Sequence, residues 1–328
     1  MLKYNLVYLQ IIIGLILIKT RHHYVARYYL KAWIDNKEQI TVYRKLDKVF
    51  KTNLMNVAQK RFFYELQNLT LQEINFVKSV INLSPNGKLK KINEKWLEMY
   101  IFIFKIEKQI KKYNIKNNEL LEKMILKIKK NFEEDYHEQI ESMGYKYLDL
   151  IRKENIDFYY DKESEDRMKF LYYICVQYFR TNNIKQKIIN EFQNEPINMN
   201  KIHNVMANIY STNVAYNLHL DKSMNLFLLI NSTNLEFITG DQPVLNTHGV
   251  YNNCELKNDE FELYYPISPK LAILISNKNF KNKLINIKNE NHINKYNNYI
   301  IHSSFEQIFA TNEQTILLYK AKFNEINL

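Results

Sequence analysis

Apolar residues recur at helical spacing through the middle of this 328-residue chain, then switch after Leu220 to short alternating or continuous runs. The 3.6-residue period predicts helices over residues 53–66, 70–81, 91–113, 163–180, 184–192 and 202–218, and one long helix or two over 120–151. Residues 82–87, Asn-Leu-Ser-Pro-Asn-Gly, form the clearest turn. Residues 39–44 alternate as a strand does, and the aromatic-rich 21–34 segment reads as a short helix or as extended chain. Past Leu220, strands are predicted at 226–230, 237–239, 262–265, 271–275 and 315–319, with a helix at 291–301. There is no internal repeat. The expected class is α+β: a helical region (50–220) packed on a mainly C-terminal antiparallel or mixed sheet (221–328), as one domain over 21–328.

The first 20 residues break this pattern. Leu6 to Ile18 is a 13-residue apolar run interrupted only by Gln10. It is too short for a stable span and lacks a small-x-small cleavage site, so residues 1–20 read either as a start-site artefact or as a short signal anchor. Without the anchor, the expected location is the cytoplasm. Cys175 and Cys254 make no metal spacing and suit a reducing compartment.

Composition changes the picture in one respect. Gly and Pro number five each, while Lys, Asn, Ile, Tyr and Phe abound, a skew that follows AT-rich codons. It excludes collagen-like, linker-like and disulfide-scaffold chains, and 14% aromatics exclude a disordered one. The net charge of +11 favours acidic partners such as nucleic acid, but codon bias inflates Lys and weakens that inference. The lysine-rich stretch 105–130 reads as a basic face for nucleic acid or as a solvated face. Against this background the rare arginines stand out.

Three segments carry candidate chemistry. His22-His23-Tyr24-Val25-Ala26-Arg27 places an imidazole four residues from a guanidinium, which suits proton transfer beside a phosphate; packing and a local ion pair are the structural alternative. Gln177 and Arg180 stand three apart at the end of a helix, where Arg180 could equally serve as a C-terminal cation. Phe237-Ile-Thr-Gly-Asp241-Gln-Pro243 ends a strand on a carboxylate, either a catalytic acid or an Asx turn. Tyr64-Glu65 offers a second carboxylate. No dinucleotide, P-loop, zincin or hydrolase-elbow motif is present.

Taken in order, these segments resemble the bacterial domain-of-unknown-function family four-two-three-eight. Its members open on a His-His-Tyr-Val-Pro-Arg-Phe-Tyr-Leu-like motif, carry a Gln-x-x-Arg helix and end a later strand in Phe-Ile-Thr-Ser-Asp-Asn-Pro-Val. Tyr265-Pro-Ile-Ser-Pro269 and Asn294 to Asn297 continue the likeness, which runs from Arg21 to Tyr319. Ala26 stands where the family has Pro, and Gly240 where it has Ser. The resemblance implies that His22, His23, Arg27, Gln177, Arg180 and Asp241 converge. Such a set suits phosphodiester chemistry, with Asp241 and His23 as candidate ligands for Mg²⁺ or Mn²⁺ and no other cofactor indicated. The function expected is a nucleic-acid-processing hydrolase, an RNase first, acting as a toxin or phage-defence effector. The alternatives are a non-catalytic sensor of a nucleotide or other anion, and a buried polar network that holds helices to sheet.

Overall fold

The computed structural model describes residues 17–113, 119–161, 163–251 and 261–326. The run 1–16 and Cys254 lie outside the described residues. In chain order the elements are β1 (Arg21–His23), α1 (Arg27–Leu30), β2 (Ile40–Arg44), β3 (Val49–Thr52), β4 (Gln59–Arg61), α2 (Leu71–Leu83), α3 (Gly87–Lys112), α4 (Glu119–Arg152), α5 (Asp166–Phe179) and α6 (Asn182–Glu191). They continue with α7 (Met199–Leu220), β5 (Asn225–Asn231), β6 (Thr239–Gly240), β7 (Leu245–Asn246), β8 (Glu262–Ser268), β9 (Leu271–Ser276), β10 (Leu284–Ile287), α8 (Glu290–Ser303), β11 (Gln307–Ala310) and α9 (Glu313–Glu325). This is an α+β protein with a helical middle and a mainly C-terminal mixed sheet.

The chain divides into two compact units. The helical unit comprises residues 1–22, 60–139 and 188–210. Thr70 and Glu73 start α2 with a reciprocal capping box, and the Asn86 side chain caps α3 by accepting from the Lys88 and Leu89 N–H groups. Val77 and Ile81 of α2, Leu97, Tyr100 and Ile103 of α3, and Ile202, Met206 and Ile209 of α7 form its core. Residues 17–19 lie along α4: Asn131 donates to the Leu17 carbonyl and accepts from Lys19 N–H, while Lys19 Nζ pairs with Asp135 and Glu138 at 2.7 and 2.6 Å.

The sheet unit comprises residues 23–59, 140–187 and 211–328. One sheet has the order β10-β5-β9-β8-β7, with β10 and β5 parallel and the other pairs antiparallel. The other has the order β3-β2-β11-β6 and is antiparallel throughout. Every residue of β9 is buried, as a central strand with both faces covered requires. The core joins Phe227 and Leu229, Tyr264, Ile308, Ile300 of α8 and Phe323 of α9.

Two sequence expectations are corrected. Residues 53–66 are not a helix: Asn53 accepts from Met55 N–H in a single 3₁₀ turn, and left-handed Ala58 and Phe62 flank the short β4. Residues 315–319 are not a strand but part of α9. Asn312 caps that helix through Thr315 N–H, and the buried Ile316, Tyr319 and Phe323 follow a helical period while Leu317 and Leu318 face solvent. The long helix over 119–152 is single.

Gly144 on α4 is required by packing. A Cβ there would collide with the ring of Tyr173 on α5, which is fully buried. Gly144→Ala is therefore expected to destabilise the protein by about 2 kcal/mol despite the better helix propensity of Ala. A thermal melt of the variant at or above the wild-type temperature would sink this reading of the contact.

Candidate functional site

His22 belongs to the helical unit and both its ring nitrogens are committed. Nε2–H donates to the Lys19 carbonyl and Nδ1 accepts from Tyr64 N–H, each at 3.0 Å. That pairing needs the neutral ring, and burial lowers its pKa accordingly. The ring stacks on Tyr64.

The remaining candidates belong to the sheet unit, where the three segments meet through residues beside the expected ones. Tyr29 hydroxyl bonds Thr239 Oγ1 at 2.7 Å and Trp33 Nε1–H donates to the Phe237 carbonyl, so the first motif is fastened to the strand end. Thr181, next to Arg180, donates to Gln242, next to Asp241; Gln242 donates back to the Tyr178 carbonyl. Asn183 donates to the Ser303 carbonyl at 2.7 Å. Arg27 itself is exposed, with Nη1 on Met55 Sδ, and His23 is buried. Ala26 holds φ −60°, the angle a proline would impose, so its substitution preserves the backbone path.

Asp241 is fully buried and saturated. Oδ1 accepts from Phe305 N–H at 2.7 Å, and Oδ2 accepts from Glu306 and Gln307 N–H at 2.9 and 3.1 Å. Burial pushes its carboxyl up to about 7, against the downward pull of those three donors. The neighbouring Gly240 has no room for a side chain, since a Cβ would strike Ser304 Oγ. A serine at 240 would meet the same hydroxyl.

One polar face reaches solvent. Glu141, Tyr145, Asp149 and Arg152 recur along α4 at helical spacing. Arg180 Nη2 lies 2.7 Å from Glu141 Oε1, and Tyr145 hydroxyl donates to Oε2 at 3.1 Å. Tyr145 stacks on Tyr28 with centroids 3.9 Å apart. Tyr28 hydroxyl donates to Asp149 at 2.6 Å, and Arg152 pairs with Asp149 while donating to the Tyr28 and Tyr29 carbonyls. Arg180 is 1% exposed and Glu141 12%, while Asp149 stands 49% exposed at the outer end. Burial and the Glu141 charge hold the Tyr145 phenol well above its ordinary pKa, so it stays protonated. Gln177, one turn before Arg180, is buried, and its amide Nε2 has no hydrogen-bond partner among the described residues. Glu141, Tyr145 and Asp149 escaped the sequence reading; their signal was the four-residue spacing on one face of a helix, hidden in a charged stretch.

The helical unit holds a second polar cluster, fully buried. Glu133 accepts from the Tyr100 hydroxyl and from Asn208 Nδ2, and its other oxygen lies 3.5 Å from His137 Nε2. Burial pushes its carboxyl up to about 8. Among the described residues no group of three or more His, Cys, Asp or Glu side chains could hold a metal ion, so neither Asp241 nor His23 belongs to such a set. No helix among them is long and apolar enough to cross a membrane.

Fold and polar face together define an α+β protein with a buried arginine–carboxylate pair opening to solvent through tyrosines. The chain belongs to the family described as "Protein of unknown function (DUF4238)", which it matches over residues 21–314. No curated protein and no solved structure shows a significant match to it.

Proposed function

We propose that the chain is a nucleic-acid-processing hydrolase, an RNase, whose chemistry is carried by Glu141, Tyr145 and Arg180. The supporting observation is that one carboxylate, Glu141, receives both a guanidinium and a phenol that stays protonated. In this reading Glu141 takes the proton from a ribose 2′-hydroxyl as its oxygen attacks the adjacent phosphorus. Arg180 stabilises the charge that gathers on the phosphoryl oxygens. Tyr145 gives its proton to the departing 5′-oxygen as the P–O bond breaks, leaving a 2′,3′-cyclic phosphate. The proton held by Glu141 then passes to Tyr145 along their 3.1 Å hydrogen bond, and the pair is restored. His22 and Asp241 support the fold in this scheme. Unregulated RNA cleavage stops growth, which suits a toxin or phage-defence effector.

The measurement is cleavage of an end-labelled RNA by purified protein. Tyr145→Phe is expected to slow it about 100-fold or more with the melting temperature retained, while Glu141→Gln slows it as much and also lowers the melting temperature, because the buried Arg180 loses its paired carboxylate. An all-deoxy strand should stay intact. Absence of RNA cleavage from pH 5 to 9, with and without Mg²⁺ or Mn²⁺, ends the hydrolase reading. The Gln177 Nε2, without a hydrogen-bond partner among the described residues, supports a second reading, in which Gln177 and Arg180 clamp an anion such as a nucleotide without turnover. Thermal stabilisation by nucleotides with no product formed would favour it.

A further inference from the structure

We infer that the groove between α2 and α3 of the helical unit binds single-stranded nucleic acid, its phosphates on Lys105, Lys108 and Lys111 and its bases over Phe104. This rests on the reading of nucleic acid as the substrate and adds where the strand is gripped. Two consecutive hollows, of about 420 and 490 Å³, share Ile101 and Lys105 and run along α3 from Glu94 to Lys111. At 1.5 Å per residue that path is roughly 25 Å long. Its ends differ in charge. The end near the α2–α3 turn carries Glu94 and Glu98 against Lys78 and Lys105. The far end carries Lys105, Lys108 and Lys111 around an apolar floor that includes Phe104 and Ile74.

The lysines at that end are available. Lys105 and Lys108 are exposed and have no acidic partner among the described residues. Lys111 makes only a 3.4 Å pair with Glu107 while 76% exposed, an interaction worth little in water. Glu107 is also met by Lys129 at 3.3 Å, so the one acid of the basic end is already neutralised. The three lysines follow each other every three residues, one helical step of about 4.5 Å, so each can meet a successive phosphate of an extended strand. Half-buried Phe104, next to Lys105, offers a base an aromatic surface beside Lys129, whose Nζ lies 5.2 Å from the ring centroid and adds a further cation there. The helical unit is the smaller of the two, yet its sequence holds more than half of the chain's net positive charge. Lysine rim and aromatic floor together favour a single strand over a duplex, which offers no free base faces, and over an anionic bilayer, which needs a broad surface.

The test is fluorescence anisotropy with a labelled, unstructured deoxy strand, which lacks the 2′-hydroxyl and cannot be cleaved by the proposed route. Lys105→Gln/Lys108→Gln/Lys111→Gln is expected to weaken binding at least tenfold at low salt and to reduce the salt slope by about 2. Lys88→Gln/Lys91→Gln/Lys95→Gln removes equal charge from the other half of α3 and should leave affinity within about threefold. Both triples should melt as the wild type does, because all six side chains are exposed. Equal loss from the two triples overturns the site, since it would report diffuse charge alone. Binding of duplex DNA or phosphatidylserine vesicles as tightly as the strand also overturns it. Groove-dependent binding without RNA cleavage removes only the hydrolase reading; cleavage with unaltered strand binding in the first triple removes only this one.

Discussion

Asp241→Ala is expected to lower the melting temperature of the sheet unit by about 10 °C, the largest loss of any single substitution among the motif residues. The carboxylate is fully buried and serves three successive backbone N–H groups, those of Phe305, Glu306 and Gln307. Removing it strands three donors away from water, at roughly 1–3 kcal/mol apiece before the loop relaxes, so a net loss of about 3–5 kcal/mol follows. Those donors lead directly into β11, the strand that β2 and β6 both pair with. Asp241→Asn keeps one acceptor but points an amide N–H at another donor, and should fall between the two. A melting temperature within a degree or two of wild type for the Ala variant would show that the loop is held by other means.

Glu133→Gln is expected to act in the opposite direction. The carboxyl is enclosed by the helical core, and burial raises it to about 8. The unfolded chain ionises it at its ordinary value of about 4.5, so the folded form must keep or take up a proton that the unfolded form has released. That cost is absent below pH 4.5, grows as pH rises and levels off above 8. At pH 7 it amounts to about 3 kcal/mol. Glutamine has the same shape, still accepts from Tyr100 and Asn208, and offers His137 an N–H where the protonated acid offers an O–H. The variant should be more stable near neutral pH, and its stability should lose most of the decline between pH 5 and 8. Chemical denaturation at pH 5 and pH 8 reads both effects. A variant less stable than wild type at pH 8, with the same pH slope, would mean that Glu133 is ionised and paired with His137.

Helical elements were legible where a cap and a periodic stripe agreed. The start of α2 was legible to within a residue, at Thr70, whereas α3 begins at Gly87, four residues before the expected 91, because the Asn86 side chain caps it inside the segment read as a turn. The strand at Ile40–Arg44 declared itself by alternation. The reading failed at 315–319 because Thr-Ile-Leu-Leu-Tyr is a short, continuous run of strand-favouring residues, while the deciding signals are the Asn312 cap and Phe323. It failed at 53–66 because side chains at Asn53 and Gln307 stabilise local turns that helix propensity cannot reveal. At the candidate site the motif segments do meet within the sheet unit, but through Tyr29, Trp33, Thr181 and Gln242. The α4 half of the polar face was signalled by its four-residue spacing, but its partners lie on α1 and at the C-cap of α5, and only tertiary packing sets Tyr28 against Tyr145 and Arg180 against Glu141.

The pairing of β2 with β11 also fixes when this protein can fold. Thr41 bonds the carbonyl of Thr311, 270 residues further along. On a ribosome adding 5–20 residues per second, the β2–β3 hairpin waits roughly 15–50 s before the strand that covers its open edge has been made. Through that interval Val42 and Tyr43, both completely buried in the finished fold, have no partner from β11 or α9. The sheet unit is therefore completed only once β11 and α9 have been made, and until then the β2–β3 hairpin presents an open, unpaired edge.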